Sequence, residues 1–212
     1  MFEFLALITN KKYWFVHSYM IAWIFRLYGI KVGRKFYCEG IPLLKIRGKA
    51  ENIVIGDNVS FLGSVDLRNR ENGKITIEDH AAIEGNVRLV SAREGHIKIG
   101  RNTSIGSGTI MNGGGDILIG EGCLISARVS INANEHQFLK DVRIKEQGYE
   151  LKAVIIEDDC LLGVNVAVNK GTIIKEGSII GANSVVTKDT EAYSINIGSP
   201  AKKISERRND EN

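Results

Sequence analysis

Apolar residues recur at every sixth position through most of the chain, and the count restarts after every third of them. These ladder positions form six sets of three: Ile55, Phe61 and Leu67; Ile77, Ile83 and Leu89; Ile99, Ile105 and Met111; Ile119, Ile125 and Ile131; Ile156, Leu162 and Val168; and Ile174, Ile180 and Val186. One short strand and its corner use about six residues, and three such units close a triangle. The pattern therefore predicts an all-β fold, a triangular parallel β-solenoid with 18-residue coils.

A second set of small or slim residues stands four positions after the ladder positions. Its members are Val59, Val65, Ala81, Val87, Thr103, Thr109, Cys123, Val129, Cys160, Val166, Thr172, Ser178 and Ser184. We expect them to point inward close to a corner, where the triangle leaves little room. Gly or Asn often follows a ladder position, as in Ile119-Gly120, because both tolerate left-handed backbone angles. An ordinary buried parallel sheet is the alternative, but no helical pattern of about 10–15 residues separates the runs.

A weaker coil precedes the six sets, because Val32, Cys38 and Leu44 stand at the same spacing. Seven coils then begin at positions 32, 55, 77, 99, 119, 156 and 174, which leaves insertions of 5, 4, 4, 2, 19 and 0 residues beyond the 18-residue unit. An insertion at a corner leaves the ladder intact, so we expect the long one to be kept for function. The predicted parts are an N-terminal helical cap at 1–29, a hexapeptide-repeat β-helix at 30–192 with an inserted loop at 132–153, and a short C-terminal segment at 193–212.

Residues 1–28 are the part of the chain richest in apolar and aromatic side chains. We expect one or two helices here that cap the open end of the solenoid. No charged residues precede the apolar start, which argues against a cleavable signal peptide. The uncharged stretch at 13–25 is too short to span a bilayer. With the flanking cations Lys11, Lys12 and Arg26, it is compatible with a peripheral contact at the cytoplasmic face of the inner membrane.

Charge and cysteine content narrow the range of partners and compartments. The net charge is +3, and basic residues are scattered among acidic ones, which gives no sign of nucleic-acid binding. Three Cys without paired spacing, two of them at inward positions, are typical of core thiols in a reducing compartment. The sequence therefore predicts a cytoplasmic protein that binds no nucleic acid.

His136 is the strongest candidate for a catalytic group. It stands five residues after the ladder position Ile131, at the root of the long insertion. A histidine on a rigid ladder and beneath a loop is well placed to act as a general base near neutral pH. We expect His17 to be structural, and His80 and His96 to be solvated.

Two other functions of solenoid proteins are disfavoured. A zinc site of the carbonic anhydrase type needs three His on facing positions. His80, His96 and His136 are 16 and 40 residues apart, and no nearby His or Cys completes a site, so we predict no metal. A non-catalytic ice-binding or scaffold module would show regular outward rows of Thr, and Thr103 and Thr109 form no such array.

Four features of the chain resemble one protein family. They are the ladder at 30–192, the Glu135-His136 pair before a loop, the last-coil run Ile174–Asp189, and the G-x-P-A-K element at Gly198–Lys202. Together they resemble the left-handed parallel β-helix acyltransferases with hexapeptide repeats, in particular the bacterial acetyltransferases of sugars and surface polysaccharides. The left hand comes from this resemblance alone, because it departs from the usual right-handed crossover.

The resemblance implies a homotrimer, with acetyl-coenzyme A bound in the groove between two neighbouring solenoids. His136 would take the proton of an acceptor hydroxyl as that hydroxyl attacks the thioester. Transfer would be direct, without an acetyl-enzyme, so the enzyme's main task is to align two substrates. A backbone N–H would stabilise the charge on the carbonyl oxygen. Glu135 takes the place of an acidic neighbour that orients the acceptor or faces solvent.

The resemblance also implies residues that bind the donor. Val164 and Ala182 would offer main-chain groups to the pantetheine arm of acetyl-coenzyme A. Thr187, Lys188 and Lys202 match positions near its phosphate end, where a flexible ammonium group suits an exposed phosphate.

The sequence indicates the acceptor-binding residues less clearly than the donor-binding residues. Asn134 and the loop around 138–151 would shape the acceptor pocket. Asn112 is a further candidate contact, and it precedes the run Gly113-Gly114-Gly115. Three glycines suit either the close approach of a sugar or a tight corner.

We therefore predict an acetyl-coenzyme A-dependent O-acetyltransferase that modifies a sugar hydroxyl of a bacterial surface polysaccharide or its precursor. One alternative is an N-acetyltransferase of a nucleotide-linked amino sugar, because His136 could serve either acceptor. A catalytically silent solenoid subunit is another. Leu161 stands where many relatives carry Trp, and a leucine side chain cannot donate a hydrogen bond to the donor.

Overall fold

The computed structural model describes residues 12–208 together with Leu5 and Thr9. Lys11, one of the cations expected to flank a membrane contact, lies outside the described residues, as do 209–212. Within the described part, helix α1 (Lys12–Leu27) is followed by strands β1 to β25. Short 3-10 helices occur at Ala50–Asn52 and Ile144–Glu146.

Three sheets form the three faces of a triangular solenoid. The first face contains β1 (Lys31–Val32), β4 (Ile53–Ile55), β7 (Lys74–Ile77), β10 (His96–Ile99), β13 (Ile117–Ile119), β18 (Val154–Ile156) and β21 (Ile173–Ile174). The second contains β2 (Tyr37–Glu39), β5 (Ser60–Leu62), β8 (Ala82–Glu84), β11 (Ser104–Ile105), β14 (Leu124–Ile125), β19 (Leu161–Leu162), β22 (Ile179–Ile180), β24 (Ser194–Ile197) and β25 (Lys202–Glu206). The third contains β3 (Leu43–Gly48), β6 (Asp66–Glu71), β9 (Arg88–Ser91), β12 (Ile110–Gly113), β15 (Ser130–Asn132), β20 (Ala167–Val168) and β23 (Val185–Val186).

Neighbouring coils pair in parallel, and the register places ladder residues on top of one another. Ile55 pairs with Ile77, and Ile77 with Ile99. All eighteen ladder positions and all thirteen small positions that follow them are buried. Buried hydroxyls at the small positions are satisfied, as where Thr103 Oγ1 donates to the Gly120 carbonyl at 2.7 Å. The predicted seven-coil solenoid is therefore confirmed.

The corners use two different backbone devices. The third residue after each first-face ladder position adopts a left-handed conformation, as at Asn58 and Asn102, with φ of 56° and 53°. Glycines directly after a ladder position do not, which corrects the expectation that left-handed angles explain them. A Cβ added to Gly120 would instead collide with the Asp158 carboxylate, whose Oδ1 accepts a hydrogen bond from the Glu121 N–H. These glycines therefore allow adjacent coils to approach closely.

Helix α1 covers the open end of the first coil. Its buried residues are Trp14, His17, Ser18, Ala22 and Phe25. Hydrogen bonds tie the helix to β2 and to the residue that follows it. His17 Nε2 donates to the Gly40 carbonyl at 2.7 Å, and the Cys38 N–H donates to Ser18 Oγ at 2.8 Å. The predicted helical cap and the structural role of His17 are thus confirmed.

The outer side of α1 remains apolar. Its exposed residues include Phe15, Val16, Tyr19, Met20, Trp23, Ile24 and Leu27. No helix among the described residues is long and apolar enough to cross a membrane. The peripheral membrane contact stays a prediction.

The C-terminal segment adds two strands to the second face. Strand β24 pairs in parallel with β22, and β25 returns antiparallel to β24 after a cis Ser199–Pro200 bond. Arg207 Nη1 then donates to Asp159 Oδ2 at 2.6 Å. Residues 194–206 therefore cover the second-face edge of the last coil.

Ladder residues should dominate stability. We expect Ile105→Ala to lower the free energy of unfolding by about 2–5 kcal/mol, because it leaves a cavity between tightly stacked coils. The neighbouring Ser104→Ala, which alters an outward side chain, should change it by less than about 0.5 kcal/mol. Urea unfolding at fixed protein concentration measures both, and equal effects would contradict the inward placement of the ladder.

Candidate functional site

All insertions occur at one corner of the solenoid, between the third and first faces. The longest forms a hairpin from β16 (Asn134–His136) and β17 (Tyr149–Leu151), which pair antiparallel. In this pairing Glu135 faces Glu150 and His136 faces Tyr149. The hairpin root therefore carries the candidate catalytic pair out from the rigid ladder.

The glycine run at 113–115 allows the hairpin to lie close to the solenoid. A Cβ on Gly114 would lie 3.0 Å from Leu151 Cδ2 and 3.3 Å from Asn134 Cβ. A Cβ on Gly115 would lie 3.0 Å from the Ala133 carbonyl oxygen. Close packing of the hairpin is therefore a reason for these glycines that the sequence analysis did not include, and the approach of a sugar stays a prediction.

Lys170, on the next coil, clamps both strands of the hairpin. Its Nζ lies 2.6 Å from Glu135 Oε2 and 3.0 Å from Glu150 Oε2, and its side chain is only 15% exposed. The two carboxylates raise the pKa of Lys170, Glu135 contributing more. Lys152, with help from Lys170, holds the pKa of Glu150 below its usual range. Glu135 is thus part of the ion pairs that hold the hairpin, and sequence reasoning missed Lys170, which has no motif of its own.

The imidazole of His136 is exposed and is held by ring contacts. Its ring centroid lies 4.2 Å from that of Tyr149, at an interplanar angle of 41°. Arg93 Cζ lies 5.2 Å from the Tyr149 centroid on the same stack. Within the described part of the chain, neither imidazole nitrogen makes a hydrogen bond. Both ring nitrogens are therefore available to an incoming substrate.

His136 lines a cavity of about 380 Å³ on the N-terminal side of the hairpin. This N-side pocket is lined by Arg68, Arg70, Arg88, Val90, Ala92, Asn112, Gly113, Gly114, Asn134, Glu135, His136 and Tyr149. It brings together four residues predicted from the sequence, namely Asn112, Asn134, Glu135 and His136. Its volume is in the range of small-molecule sites. The three arginines were not anticipated from the sequence.

The arginines are organised around a buried carboxylate. Arg68 binds Asp66 through two nitrogens, with Nε–Oδ1 at 2.9 Å and Nη2–Oδ2 at 2.5 Å. Arg88 Nε donates to the same carboxylate at 3.2 Å. Arg68, supported by Arg88, holds the pKa of Asp66 below its usual range. Asp66 therefore stays ionised at neutral pH and keeps both guanidinium groups bound.

The predicted donor residues lie on later coils. Thr187 lines a C-side pocket of about 300 Å³, together with Asn132, Asn134, Glu135, Asn169 and Lys170. Lys188 and Lys202 line a further cavity of about 260 Å³ near the last coil. Asn134 and Glu135 line both the N-side and the C-side pocket, so the hairpin separates the two cavities.

Val164 and Ala182 occupy a different corner. They follow β19 and β22, between the second and third faces, where the Asn183 N–H donates to the Val164 carbonyl at 2.9 Å. Both residues are exposed, and neither lines the pockets described above. One chain therefore does not bring them next to His136.

The remaining histidines do not join the site. His80 is exposed, as expected. His96 is half-buried, and its Nε2 lies 2.8 Å from Thr76 Oγ1, so the expectation that it is solvated is wrong. Burial lowers the pKa of His96. Among residues 12–208, no cluster of His, Cys, Asp and Glu side chains could hold a metal ion.

Comparison with known proteins identifies the family. The profile described as the hexapeptide repeat of succinyl-transferase matches residues 153–188. The chain is also 32% identical, over 184 residues, to the dTDP-4-amino-4,6-dideoxy-D-glucose acyltransferase of Escherichia coli, with 81% of this chain and 88% of the relative covered. The chain belongs to the hexapeptide-repeat acyltransferases. This confirms the expected family and enzyme class.

Another relative of this hexapeptide-repeat acyltransferase is named for a different acceptor. The chain is 28% identical to the galactoside O-acetyltransferase of Escherichia coli K12, with 84% of this chain and 87% of the relative covered. Its fold is similar to that of AntD, an N-acyltransferase from Bacillus cereus in complex with dTDP and 3-hydroxybutyryl-CoA. That likeness has a TM-score of 0.60 at 20% identity over 86% of each chain. At this identity the likeness shows the fold alone. The expected left-handed β-helix is confirmed.

Lys170 should control the order of the hairpin. We expect Lys170→Ala to speed amide hydrogen exchange in β16 and β17 by about five- to tenfold, because the hairpin loses both ion pairs to the solenoid. The matched control is Lys175→Ala, which removes an ammonium group 2.9 Å from Glu157 outside the hairpin. Unchanged exchange in the Lys170 variant would show that ring packing and the glycine run hold the hairpin without it.

Proposed function

We propose that this protein is an acetyl-coenzyme A-dependent acetyltransferase whose acceptor is a sugar hydroxyl of a bacterial surface polysaccharide or its precursor. The observation that carries the proposal is the position of His136, exposed on a tethered hairpin with a cavity on each side. A group-transfer enzyme must align two substrates at one proton acceptor. The two cavities provide one space for each substrate.

His136 acts as the general base in this proposal. The acceptor oxygen attacks the thioester carbon while the imidazole takes the hydroxyl proton. When the tetrahedral intermediate collapses, the carbon–sulfur bond breaks and the same proton passes to the thiolate of coenzyme A. The stack on Tyr149 orients the imidazole and leaves its nitrogens available to the acceptor.

The donor occupies the C-terminal side of the hairpin. Thr187 lies in the C-side pocket, and Lys188 and Lys202 beyond it are exposed ammonium groups suited to phosphates. Among residues 12–208, neither lysine forms an ion pair that would neutralise it. Asp189 and Glu191 also line the cavity of these two lysines, and Glu191 is paired with Lys203. The two unpaired ammonium groups of Lys188 and Lys202 therefore support binding of the phosphate end of acetyl-coenzyme A.

A homotrimer completes this donor site. Val164 and Ala182 lie at the corner between the second and third faces, whereas the hairpin with His136 leaves the corner between the third and first faces. A donor that contacts both corners must lie between two copies of the chain. We therefore assign the main-chain groups of Val164 and Ala182 to the neighbouring subunit, in a cytoplasmic trimer.

An amine acceptor is the second candidate function. It is favoured by the 32% identity to an enzyme named for a dTDP-linked amino sugar. The same base would serve, because His136 can take a proton from the attacking nitrogen. The product distinguishes the two, since mild alkali cleaves an ester and leaves an amide intact.

Leu161 is the reason to retain the opposing hypothesis that this protein is a catalytically silent subunit. Leu161 is half-buried in β19 and offers no hydrogen-bond donor from its side chain. Donor placement must then rely on backbone groups. Turnover by the purified protein decides between an active enzyme and a silent subunit.

Loss of the base should strongly lower turnover without unfolding the protein. We expect His136→Asn to lower acetyl transfer by about two orders of magnitude, because the acceptor loses its proton acceptor. His80→Asn is the matched control, since His80 is exposed at another corner and Asn tolerates its φ of 62°. Acetylation of a panel of sugars and nucleotide sugars, with melting temperature measured in parallel, provides the test. Near-wild-type transfer by the variant would remove His136 as the base, and no transfer by wild type would support the silent subunit.

Lys202 should contribute to binding of the donor only. We expect Lys202→Ala to weaken acetyl-coenzyme A binding by about fivefold to tenfold, because one exposed charge-assisted contact to phosphate is lost. Lys203→Ala is the control, since its ammonium is already paired with Glu191 and Glu206 at 2.6 Å each. Calorimetric titration of both variants measures the dissociation constants. An unchanged dissociation constant for Lys202→Ala would show that this lysine does not bind the donor and contributes only to solubility.

A further inference from the structure

We propose that the acceptor carries an anionic group, a phosphate or a carboxylate, which Arg68, Arg70 and Arg88 bind in the N-side pocket while His136 faces the group that is acetylated. This inference deepens the proposed function and rests on it. The three guanidinium groups line the same cavity as His136. A neutral sugar hydroxyl would require none of them.

The charge of this pocket is not balanced by its own residues. Asp66 is the one carboxylate bonded to the arginines, and it is shared by Arg68 and Arg88. Within residues 12–208, Arg70 forms no ion pair. The other carboxylate at the pocket, Glu135, is neutralised by Lys170. Three cations therefore face one carboxylate, and an anionic ligand would relieve that excess.

Two of the three arginines, Arg68 and Arg88, are held in place before any ligand arrives. Asp66 is buried and fixes Arg68 through two bonds, and the Arg68 side chain is only 20% exposed. Arg70 follows two residues later on β6, so its side chain leaves the same face of the strand. Arg88 pairs directly with Asp66 in the register of β6 and β9. Guanidinium groups fixed in this way bind oxyanions with little loss of side-chain entropy.

The pocket is long enough to separate the anionic group from the reacting group. Along the third face, Arg68 pairs with Val90 and Val90 with Asn112, and all three residues line the pocket. Two strand spacings of this kind span roughly 10 Å. The anion would lie at the arginine end and the acetylated group at the hairpin. Asn112 lies between them, where its amide could contact a sugar ring.

The donor does not account for these arginines. The residues assigned to the donor belong to the last two coils or to Lys202 on β25, on the C-terminal side of the hairpin. The arginines belong to β6 and β9, on its N-terminal side. One extended donor would have to pass the hairpin to contact both groups. The cluster is therefore assigned to the acceptor.

The variant that tests the inference is the double substitution Arg70→Gln/Arg88→Gln. It removes two charges and keeps Arg68, so buried Asp66 retains its bidentate partner. The matched control is Arg101→Gln/Arg128→Gln, which removes two charges from exposed corners outside the pocket. The probes are inorganic pyrophosphate, glucuronate, methyl galactoside and acetyl-coenzyme A, titrated calorimetrically into the full-length protein. Melting temperatures of all variants verify folding.

We expect wild type and control to bind pyrophosphate, glucuronate or both, and the test variant to bind them at least about tenfold more weakly. Binding of acetyl-coenzyme A should stay the same in all three proteins. A preference for pyrophosphate would identify a phosphate-bearing acceptor, and a preference for glucuronate a sugar acid. Methyl galactoside should bind equally to test variant and control.

Three results would overturn the inference. The first is that the wild type binds no anion. The second is that the test variant and the control bind anions equally well. The third is that the test variant also loses acetyl-coenzyme A binding to the same extent, which would assign the arginines to the donor. Arginine-dependent anion binding without any acetyl-coenzyme A binding would refute the proposed function, and with it the acceptor role of the pocket. If the test variant binds the donor and the anions and acetylates sugars as well as the wild type does, the proposed function is supported and this inference alone is refuted.

Discussion

The structure depends on the parallel stacking of coils at one fixed spacing. Each coil donates backbone hydrogen bonds to the next, and strands joined in this way lie about 4.8 Å apart. The ladder side chains of successive coils are thereby brought into register, as at Ile55 and Ile77. A residue added within a strand would turn the following side chains to the wrong face. Additions are tolerated only at corners, and in this chain they all use the same corner, between the third and first faces.

That restriction explains why the candidate site is a hairpin outside the core. A two-stranded hairpin has little stability of its own in water, so its position must come from contacts with the solenoid. Gly114 and Gly115 supply a surface flat enough for close packing, and Lys170 supplies an electrostatic clamp from the coil above. His136 is therefore held by the neighbouring coils on both sides. The apparent catalytic pair divides its work, with Glu135 serving the scaffold and His136 left available for chemistry.

The hairpin also divides the surface along the solenoid axis. Cationic side chains occur on both sides of it but differ in kind. On the C-terminal side, Lys188 and Lys202 are exposed point charges, whereas Arg68 on the N-terminal side is fixed by buried Asp66. Exposed ammonium groups suit the phosphates of a donor common to many enzymes. Preorganised guanidinium groups suit an acceptor that must be distinguished from other sugars, because geometry adds to charge.

The sequence by itself determined the solenoid, its coils, the helical cap and the location of His136, because all of these follow from local periodicity and from one conspicuous insertion. Only the tertiary structure decided which side chains meet across coils. Arg68 and His136 are far apart in the chain but line one cavity, and Lys170 and Glu135 belong to different coils but form an ion pair. Both arrangements depend on stacking register and on the path of the hairpin. The separation of Val164 and Ala182 from His136 likewise follows from which corner each residue occupies. Periodicity specifies whether a residue faces in or out, whereas a binding site requires the three-dimensional neighbours of the residues that face out.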